Sequence, residues 1–389
     1  AWSSFATLLR RQYGYFNRPG VDGEAILAAF ADRAKQARSD RAFIDILRLI
    51  AHDFADPHLI VGPPDPGDWA IVPTASDLFA VRDGAAFRIT DVRADGAAGM
   101  AGIRPGATVL SIDGAPPEEV IAGIMGRPFA ALTPEQADFG LLVALAGRRD
   151  RPRTLLLADR NGRRSVTLAP TAVQAKRVAA GPLLETERRG DLGIIRIDNS
   201  LGNQELIPRF SAALASLADT HALLIDLRNT PSGGNTSVAR GIMGHFVDTD
   251  RPYQMHVVPF EARVLGPSRK FVEYVAPFGA RYAGKVFVSG GHWTGSMGEG
   301  MMIGFDAIGA ETVGTDLGHL LGATEDDTVT GTAATVALGT EQLFTVTGLP
   351  REAFRPHLYL PAAERDGPVD PVLRAIEHRR DQSAGTADR

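Results

Sequence analysis

The sequence contains no cysteine among its 389 residues. This absence excludes disulfide bonds, a thiol nucleophile and thiolate metal ligands, although it leaves the cellular compartment open. Lysine is scarce as well, because the only lysines are Lys35, Lys176, Lys270 and Lys285 and all other basic side chains are arginines. No run approaches the roughly 20 apolar residues that a membrane-spanning helix needs, so we expect no transmembrane segment.

The charge of the chain gives little indication of a polyanionic partner. The formal net charge is −5 at pH 7 and the isoelectric point is about 6.0, so binding to nucleic acid or to an anionic membrane is not expected. The first residues, AWSSF, have neither the basic nor the apolar region of a secretion signal. Either the protein is not secreted, or it is exported to the periplasm or the exterior and its leader has been removed.

The hydrophobic pattern divides the chain into three segments and a tail. Residues 1–64 are predicted to be helical, because an apolar stripe with helical spacing runs through SDRAFIDILRLIAHDFADPH. Residues 68–175 alternate short β-rich runs with glycine and proline turns, which predicts a small mixed β domain. Residues 185–378 alternate strands with helices, which predicts a mainly parallel sheet flanked by helices. The chain is thus assigned to the α/β class with several domains, and residues 379–389 are expected to form a disordered tail.

One serine lies between glycines where a predicted strand passes into a predicted helix. Ser296, in GGHWTGSMGEGMM, would be accessible there as a nucleophile and close to backbone N–H groups that could stabilise an oxyanion. In the alternative, Thr294 or Ser296 only caps the helix, with Glu299 as the partner in a capping box. Taken by itself, the stretch favours this structural role. Thr294 also departs from the G-x-S-x-G elbow of α/β-hydrolases.

Two other features contain residues suited to catalysis or to ligand binding. The apolar strand pattern LLIDLR opens into a loop with Gly233 and Gly234, whose N–H groups could face an anion at the carboxyl edge of a sheet. His58, in ADPHL, and His319, in DLGHLL, are isolated histidines, and each one alone is more often structural than catalytic. No metal-binding pattern such as HExxH occurs, so neither a metal nor another cofactor is expected.

In their order along the chain, these features resemble the C-terminal-processing (tail-specific) serine peptidases and their relatives, the tricorn core protease and the interphotoreceptor retinoid-binding modules. ADPHL resembles the Asp-x-His end of the family's helical segment, and FRITDVRADGAAGMAGIRPGATVLSIDG resembles the core of a PDZ domain. LLIDLRNTPSGGN resembles the D-L-R-x-N-x-G-G loop, and VFVSGGHWTGSMGEGMM resembles the strand and helix that carry T-x-S-x-x-E. The resemblance extends over almost the whole chain. It implies that the middle segment is PDZ-like and that the last segment is the catalytic core.

The resemblance implies that Ser296 is the nucleophile of a serine peptidase that forms an acyl-enzyme with peptide or protein substrates. The processing peptidases use a lysine base that follows the serine, but this chain has no lysine beyond Lys285. His319 stands at the comparable place, whereas His58 matches the histidine that the tricorn branch uses. An imidazole can accept the serine proton at neutral pH without the strong desolvation that a lysine needs. The chain is therefore placed nearer the tricorn and retinoid-binding branch, with His58 favoured over His319.

The resemblance also assigns the other residues of the expected site. Glu352 is the nearest match to the glutamate that orients the histidine in the tricorn branch, although it is slightly out of register and His357 replaces the following aspartate. The backbone N–H groups of Gly233 or Gly234 and of Met297 are expected to form the oxyanion hole. Two alternatives remain: a non-catalytic module that binds peptides or lipophilic ligands, and an esterase or α/β-hydrolase that acts on small substrates.

Overall fold

A computed structural model of the protein describes residues 1–361 and 369–387, and the chain divides into two compact units. Unit 1 consists of Ala1–Arg177, Val257–Lys270 and Leu320–Gln342. Unit 2 consists of Val178–His256, Phe271–His319 and Leu343–Arg389. The predicted helical and β-rich segments therefore belong to the same unit, and this unit also contains two segments from later in the chain.

The described residues form α-helices and β-strands that we number in chain order. The helices are α1 Trp2–Gln12, α2 Gly23–Gln36, α3 Asp40–Asp53, α4 Ala97–Met100, α5 Pro117–Met125, α6 Pro134–Ala146, α7 Thr171–Ala179, α8 Leu206–Ser216, α9 Thr236–Met243, α10 Pro259–Leu265, α11 Met297–Ala307 and α12 Pro371–Ala387. The strands are β1 Ile60–Gly62, β2 Leu78–Asp83, β3 Ala86–Val92, β4 Thr108–Ile112, β5 Arg153–Asp159, β6 Gly162–Leu168, β7 Glu185–Arg189, β8 Leu192–Arg196, β9 Ala222–Asp226, β10 Arg251–Val258, β11 Arg269–Val275, β12 Lys285–Gly290, β13 Glu311–Gly314, β14 Ala323–Thr328, β15 Thr335–Phe344 and β16 Leu358–Tyr359.

The helices α1, α2 and α3 of unit 1 share one apolar core. Ser39 begins α3 as a cap, because its side chain accepts a hydrogen bond from the N–H of Ala42. Leu47 and Ile50, on the predicted apolar stripe, are fully buried. The same core includes residues of β1 and β15, which pair in antiparallel orientation. The first segment is thus helical as predicted, but its core is completed by chain from residues 320–342.

The β-rich segment of unit 1 forms a five-stranded antiparallel sheet with the order β2-β3-β4-β5-β6. A tight turn through Arg160 and Asn161 joins β5 to β6. The inner face of the sheet packs with α5 and α6 in a second apolar core. A buried ion pair between Arg153 and Asp77 lies in the same segment.

Unit 2 is built on a six-stranded sheet with the order β16-β13-β12-β9-β8-β7. All neighbouring strands are parallel except the edge strand β7, which is antiparallel to β8. Every residue of β9 is buried, as expected of a strand covered on both faces. One face of the sheet packs against α8, α9 and α11, and the other packs against α12. The alternation of strands and helices in the sequence therefore predicted the mainly parallel sheet of this α/β protein correctly.

The last helix, α12, extends further than the sequence pattern indicates. It continues to Ala387, so residues 379–387 are helical where a disordered tail was expected, and residues 388–389 lie outside the described part of the chain. None of the helices in residues 1–361 and 369–387 is long and apolar enough to cross a membrane.

The buried ion pair between Arg153 and Asp77 provides a test of the core of the β-rich segment. The two side chains are only 2% and 4% exposed, and Asp77 also accepts a hydrogen bond from the N–H of Ala98 at the start of α4. In Arg153→Met the carboxylate stays buried without its cation, so we expect a loss of about 3–5 kcal/mol in the free energy of unfolding. Urea denaturation followed by circular dichroism measures the loss.

Arg88→Met is the matched control for this prediction. Arg88 pairs with Asp83 in the same sheet, but these side chains are 46% and 63% exposed, so their pair contributes at most about 1 kcal/mol. If Arg153→Met cost no more than Arg88→Met, the buried pair would not have the role assigned to it.

Candidate active site

Ser296 has an unusual backbone conformation at the turn between β12 and α11. Its φ is 51° and its ψ is −115°, in a region that residues with a side chain rarely adopt. Residues held in such conformations cluster at functional sites, and the nucleophile of α/β-hydrolases occupies a similarly strained turn between a strand and a helix.

Ser296 also stands at the N-cap position of α11, which is the structural role that the sequence left open. The carboxylate of Glu299 accepts a hydrogen bond of 2.8 Å from the N–H of Ser296, the reach-back contact of a capping box. An N-cap residue ordinarily has an extended backbone, however. Capping alone therefore does not account for the positive φ of Ser296.

A buried threonine, Thr294, attaches this turn to the neighbouring strand. Its hydroxyl donates a hydrogen bond of 2.9 Å to the carbonyl of Leu227, and the residue is fully buried. One residue further, the N–H of Gly295 donates to the carbonyl of Thr230 over 3.0 Å. Leu227 and Thr230 both follow β9, so these two bonds hold the turn that contains Ser296 against the loop after β9.

The glycine pair of that loop lies directly beside Ser296. Gly233 has a φ of 64°, and a Cβ there would be 2.3 Å from the Cβ of Ser296 and 2.6 Å from the backbone nitrogen of Met297. At Gly234 a Cβ would be 2.1 Å from the carbonyl carbon of Leu201. Neither position can hold a side chain without displacing backbone.

Backbone N–H groups without a partner lie next to the serine. Among the described residues, the N–H groups of Gly233, Gly234 and Met297 donate to no backbone or side-chain acceptor. Met297 is the first residue of α11, where helix N–H groups have no intrahelical acceptor. Such groups can bind an anion or an oxyanion.

The loop after β13, which contains His319, contacts the same turn. The N–H of Gly318 donates a hydrogen bond of 2.8 Å to the carbonyl of Thr294. His319 follows with a φ of 55° and is exposed. Burial would raise the pKa of Asp316 in this loop, but a hydrogen bond from Tyr359 and nearby cationic groups, His319 among them, hold that pKa below its ordinary value.

His58 belongs to unit 1, in the segment between α3 and β1, and is 7% exposed. Its ring Nδ1 lies 3.1 Å from the carbonyl oxygen of Leu321. Because a carbonyl only accepts, Nδ1 is the donor and the neutral ring has its lone pair on Nε2. A histidine that takes a proton from serine uses this tautomer. The backbone N–H of His58 donates a hydrogen bond of 2.8 Å to Asp56.

Glu352 lies in unit 2, half-buried in the short 3-10 helix Arg351–Ala353. The neighbouring Arg351 is 3% exposed, and its guanidinium lies 3.7 Å from the carboxylate of Glu299, which is fully buried. This ion pair holds the short helix against the first turn of α11.

Some residues that hold the candidate groups within each unit were not predicted from the sequence. The buried hydroxyl of Thr230 donates to the carbonyl of Ile197, but threonine is common in loops and gives no signal. The carbonyl of Leu321 has no sequence signature at all, since any residue could supply it. Only Asp56 had a signal, because it stands two residues before His58 in ADPH.

In the part of the chain that the structure describes, no three His, Asp or Glu side chains are grouped so that they could hold a metal ion.

Gly233→Ala tests the contact between the glycine loop and the serine turn. The added methyl group would overlap the Cβ of Ser296, and alanine would keep a strained positive φ, so we expect a loss of about 1–3 kcal/mol in unfolding free energy. Thermal and urea denaturation measure the loss. Gly202→Ala is the control, because a Cβ at Gly202 meets nothing within 4 Å. Equal stability of the two variants would contradict the close contact.

The fold matches solved structures of peptidases over almost the full length of both chains. The photosystem II D1 C-terminal processing protease has a TM-score of 0.59 and 14% identity, with 96% of this chain and 95% of that chain covered. Mature CPAF complexed with lactacystin has a TM-score of 0.60 and 15% identity, with coverage of 98% and 96%. A protein from Parabacteroides merdae described as a peptidase has a TM-score of 0.54 and 10% identity, with coverage of 92% and 88%.

No family model and no curated protein matches the sequence. The structural similarity covers the helical segment, the β-rich segment and the parallel sheet together. The chain has the fold of the C-terminal-processing serine peptidases, as its sequence motifs predict.

Proposed function

We propose that the protein is a serine peptidase that hydrolyses peptide bonds through an acyl-enzyme, with Ser296 as the nucleophile. The observation that carries this proposal is the strained backbone of Ser296 beside the N–H groups of Gly233 and Met297. Its support from other proteins is the fold, which is that of solved processing peptidases. Peptides or proteins are accordingly the proposed substrates.

The proposed base is His58. Its Nδ1 donates to a carbonyl, so the neutral ring has the Nε2 lone pair that accepts a proton. The absence of any lysine after Lys285 supports a histidine in place of the lysine of the processing peptidases. His319 is the second candidate, because the residue before it is bonded to the turn that contains Ser296.

The proposed reaction follows the general scheme of serine hydrolases. The histidine takes the proton of the Ser296 hydroxyl as the oxygen attacks the substrate carbonyl carbon, and the N–H groups of Gly233 or Gly234 and of Met297 stabilise the oxyanion. The imidazolium then gives its proton to the departing amine, which leaves the acyl-enzyme. Water, activated by the same histidine, releases the acid and restores the serine. Glu352 is the proposed acid that stabilises the imidazolium.

A fluorophosphonate probe tests the nucleophile, since it forms a covalent adduct only with an activated serine. The folded wild type should be labelled at Ser296, as shown by mass spectrometry of the digested protein, and Ser296→Ala should not be labelled. Wild-type protein unfolded in urea is the control, because the serine loses its base and its N–H groups on unfolding. An unlabelled Ser296 in the folded wild type would exclude the proposed chemistry.

Histidine variants test the assignment of the base. With fluorescently labelled casein as substrate, His58→Ala should lower kcat/KM by about 10²–10⁴-fold, the usual contribution of a general base. His319→Ala should cause a smaller loss, since on this assignment His319 does not transfer the proton. The reverse order of the two losses would move the base to His319.

A non-catalytic binding module is the second candidate function, and one observation favours it. Unit 1 has a cavity of about 330 Å³ whose walls include Leu49, Leu59, Ile124, Phe139 and Val143. Its walls also include charged side chains, among them Arg41, Arg48 and Asp68, so the cavity suits a small ligand with an apolar body and a polar group. The probe experiment separates the two candidates, because a binding module needs no activated serine. Hydrolysis of a chromogenic ester by the wild type but not by Ser296→Ala, without any cleavage of casein, would instead indicate an esterase.

A further inference from the structure

We propose that Asp56 and Tyr13 are positioning residues that hold His58 in the orientation and tautomer of a general base. This inference rests on the proposed function and adds two residues to its machinery, although neither of them would touch the substrate. Asp56, Tyr13 and His58 all belong to unit 1.

The carboxylate of Asp56 binds the backbone of His58 and the backbone of Leu321, the residue whose carbonyl orients the ring of His58. Its Oδ1 accepts a hydrogen bond of 2.8 Å from the N–H of His58 and one of 3.3 Å from the N–H of Leu321. The carbonyl of Leu321 in turn accepts the Nδ1–H of His58 over 3.1 Å. One carboxylate oxygen therefore fixes the backbone of the histidine and the backbone of the residue that orients its ring. These two residues are far apart in sequence, so no local turn could replace this link.

Tyr13 fixes the carboxylate itself. Its hydroxyl donates a hydrogen bond of 2.7 Å to Oδ2 of Asp56. Tyr13 is fully buried, and its ring packs edge-on against Phe54 with 5.3 Å between the ring centroids. Three donors thus hold the carboxylate. An ionised acid can accept all three hydrogen bonds together, whereas a protonated acid accepts them less well.

The environment of Asp56 makes this arrangement sensitive to its charge. Burial raises the pKa of Asp56 to about 6, although the hydrogen bonds that it accepts and the charge of Arg18 oppose this shift. Among the described residues, Tyr13 contacts the carboxylate through its hydroxyl and His58 through its backbone N–H. Near neutral pH the carboxylate is ionised and can accept all three bonds, and on acidification through about pH 6 it gains a proton and this capacity falls.

Asp53, the last residue of α3, is a matched control that lies three residues before Asp56. It is 1% exposed, as Asp56 is, and burial raises its pKa to about 6 in the same way, against the opposing charge of Arg127. Its carboxylate contacts Arg127 and Gln136 and makes no bond to His58. A general effect of removing a buried acid from this segment should therefore appear in Asp53→Ala as well.

The experiment uses the full-length protein with ¹⁵N-labelled histidine, and the His58 ring signals are assigned by their loss in His58→Gln. The wild type should show His58 with its proton on Nδ1. In Asp56→Ala this tautomer should lose its preference, and kcat on labelled casein should fall on the order of 100-fold with little change in KM, the cost of a misplaced catalytic group. Asp56→Asn should retain the Nδ1–H signal, because an amide oxygen still accepts from both N–H groups. Its loss of kcat should be smaller than that of Asp56→Ala, since only the bond from Tyr13 loses its carboxylate acceptor.

The remaining variants separate a positioning role of Asp56 from a general loss of stability. Asp53→Ala should leave the His58 signals and kcat at the wild-type values, even if it lowers the unfolding midpoint. Tyr13→Phe should lower kcat less than Asp56→Ala does, and it should broaden the His58 signals. This variant tests the positioning role if Asp56→Ala does not fold. The proposal would be overturned if folded Asp56→Ala had the His58 signals and the kcat of the wild type. If Asp56→Ala does not fold, the same result in Tyr13→Phe would overturn it. If the wild type itself proves inactive, the proposed function fails, while the ring signals still decide whether Asp56 positions His58.

Discussion

The contact between Gly233 and Ser296 is the constraint on which the candidate site depends. The turn that contains Ser296 lies so close to residue 233 that no side chain fits between them. Glycine at this position has only a hydrogen atom there and leaves enough space. The two loops come together because β9 and β12 pair in parallel, with Asp226 opposite Ser289. Parallel strands end at the same edge of the sheet, so the loops that follow them must meet. Thr294 then attaches one loop to the other with its buried hydroxyl.

Ion pairs stabilise the sheet at the end of β9, where the first of these loops begins. Arg228 donates to both Asp226, at the end of β9, and Asp370, just before α12. Burial by itself would raise the pKa of Asp226, but the charge and the hydrogen bonds of Arg228 outweigh this and hold the pKa below its ordinary value. The carboxylate therefore stays ionised although it is buried. The D-L-R motif thus has a structural role, because its charged side chains join the sheet to the last helix.

The sequence predicted the parts of this protein that follow from local pattern. The strand β9, buried on both faces, the capped helix α3 and the serine at a strand-to-helix turn could be inferred because hydrophobic periodicity and turn residues report local geometry. The positive φ of Ser296 and the orientation of His58 could not, because both depend on residues that are distant in sequence, such as Gly233 and Leu321. The length of α12 was underestimated because its polar end lacks an apolar stripe. The assignment of the base and of Glu352 remains a prediction that came from the family resemblance.

Unit 1 is not a continuous piece of chain, and this affects how the protein can fold during synthesis. Its helical core includes β15 and Leu321, which the ribosome produces only after most of unit 2. The N-terminal helices must therefore wait, with part of their apolar surface uncovered, because β15 begins only at Thr335 and α3 already ends at Asp53. Exposed apolar surface favours aggregation at that stage. For the same reason, no single cut in the chain separates the two units, and a fragment that ends at Arg177 would lack the strand that completes its core.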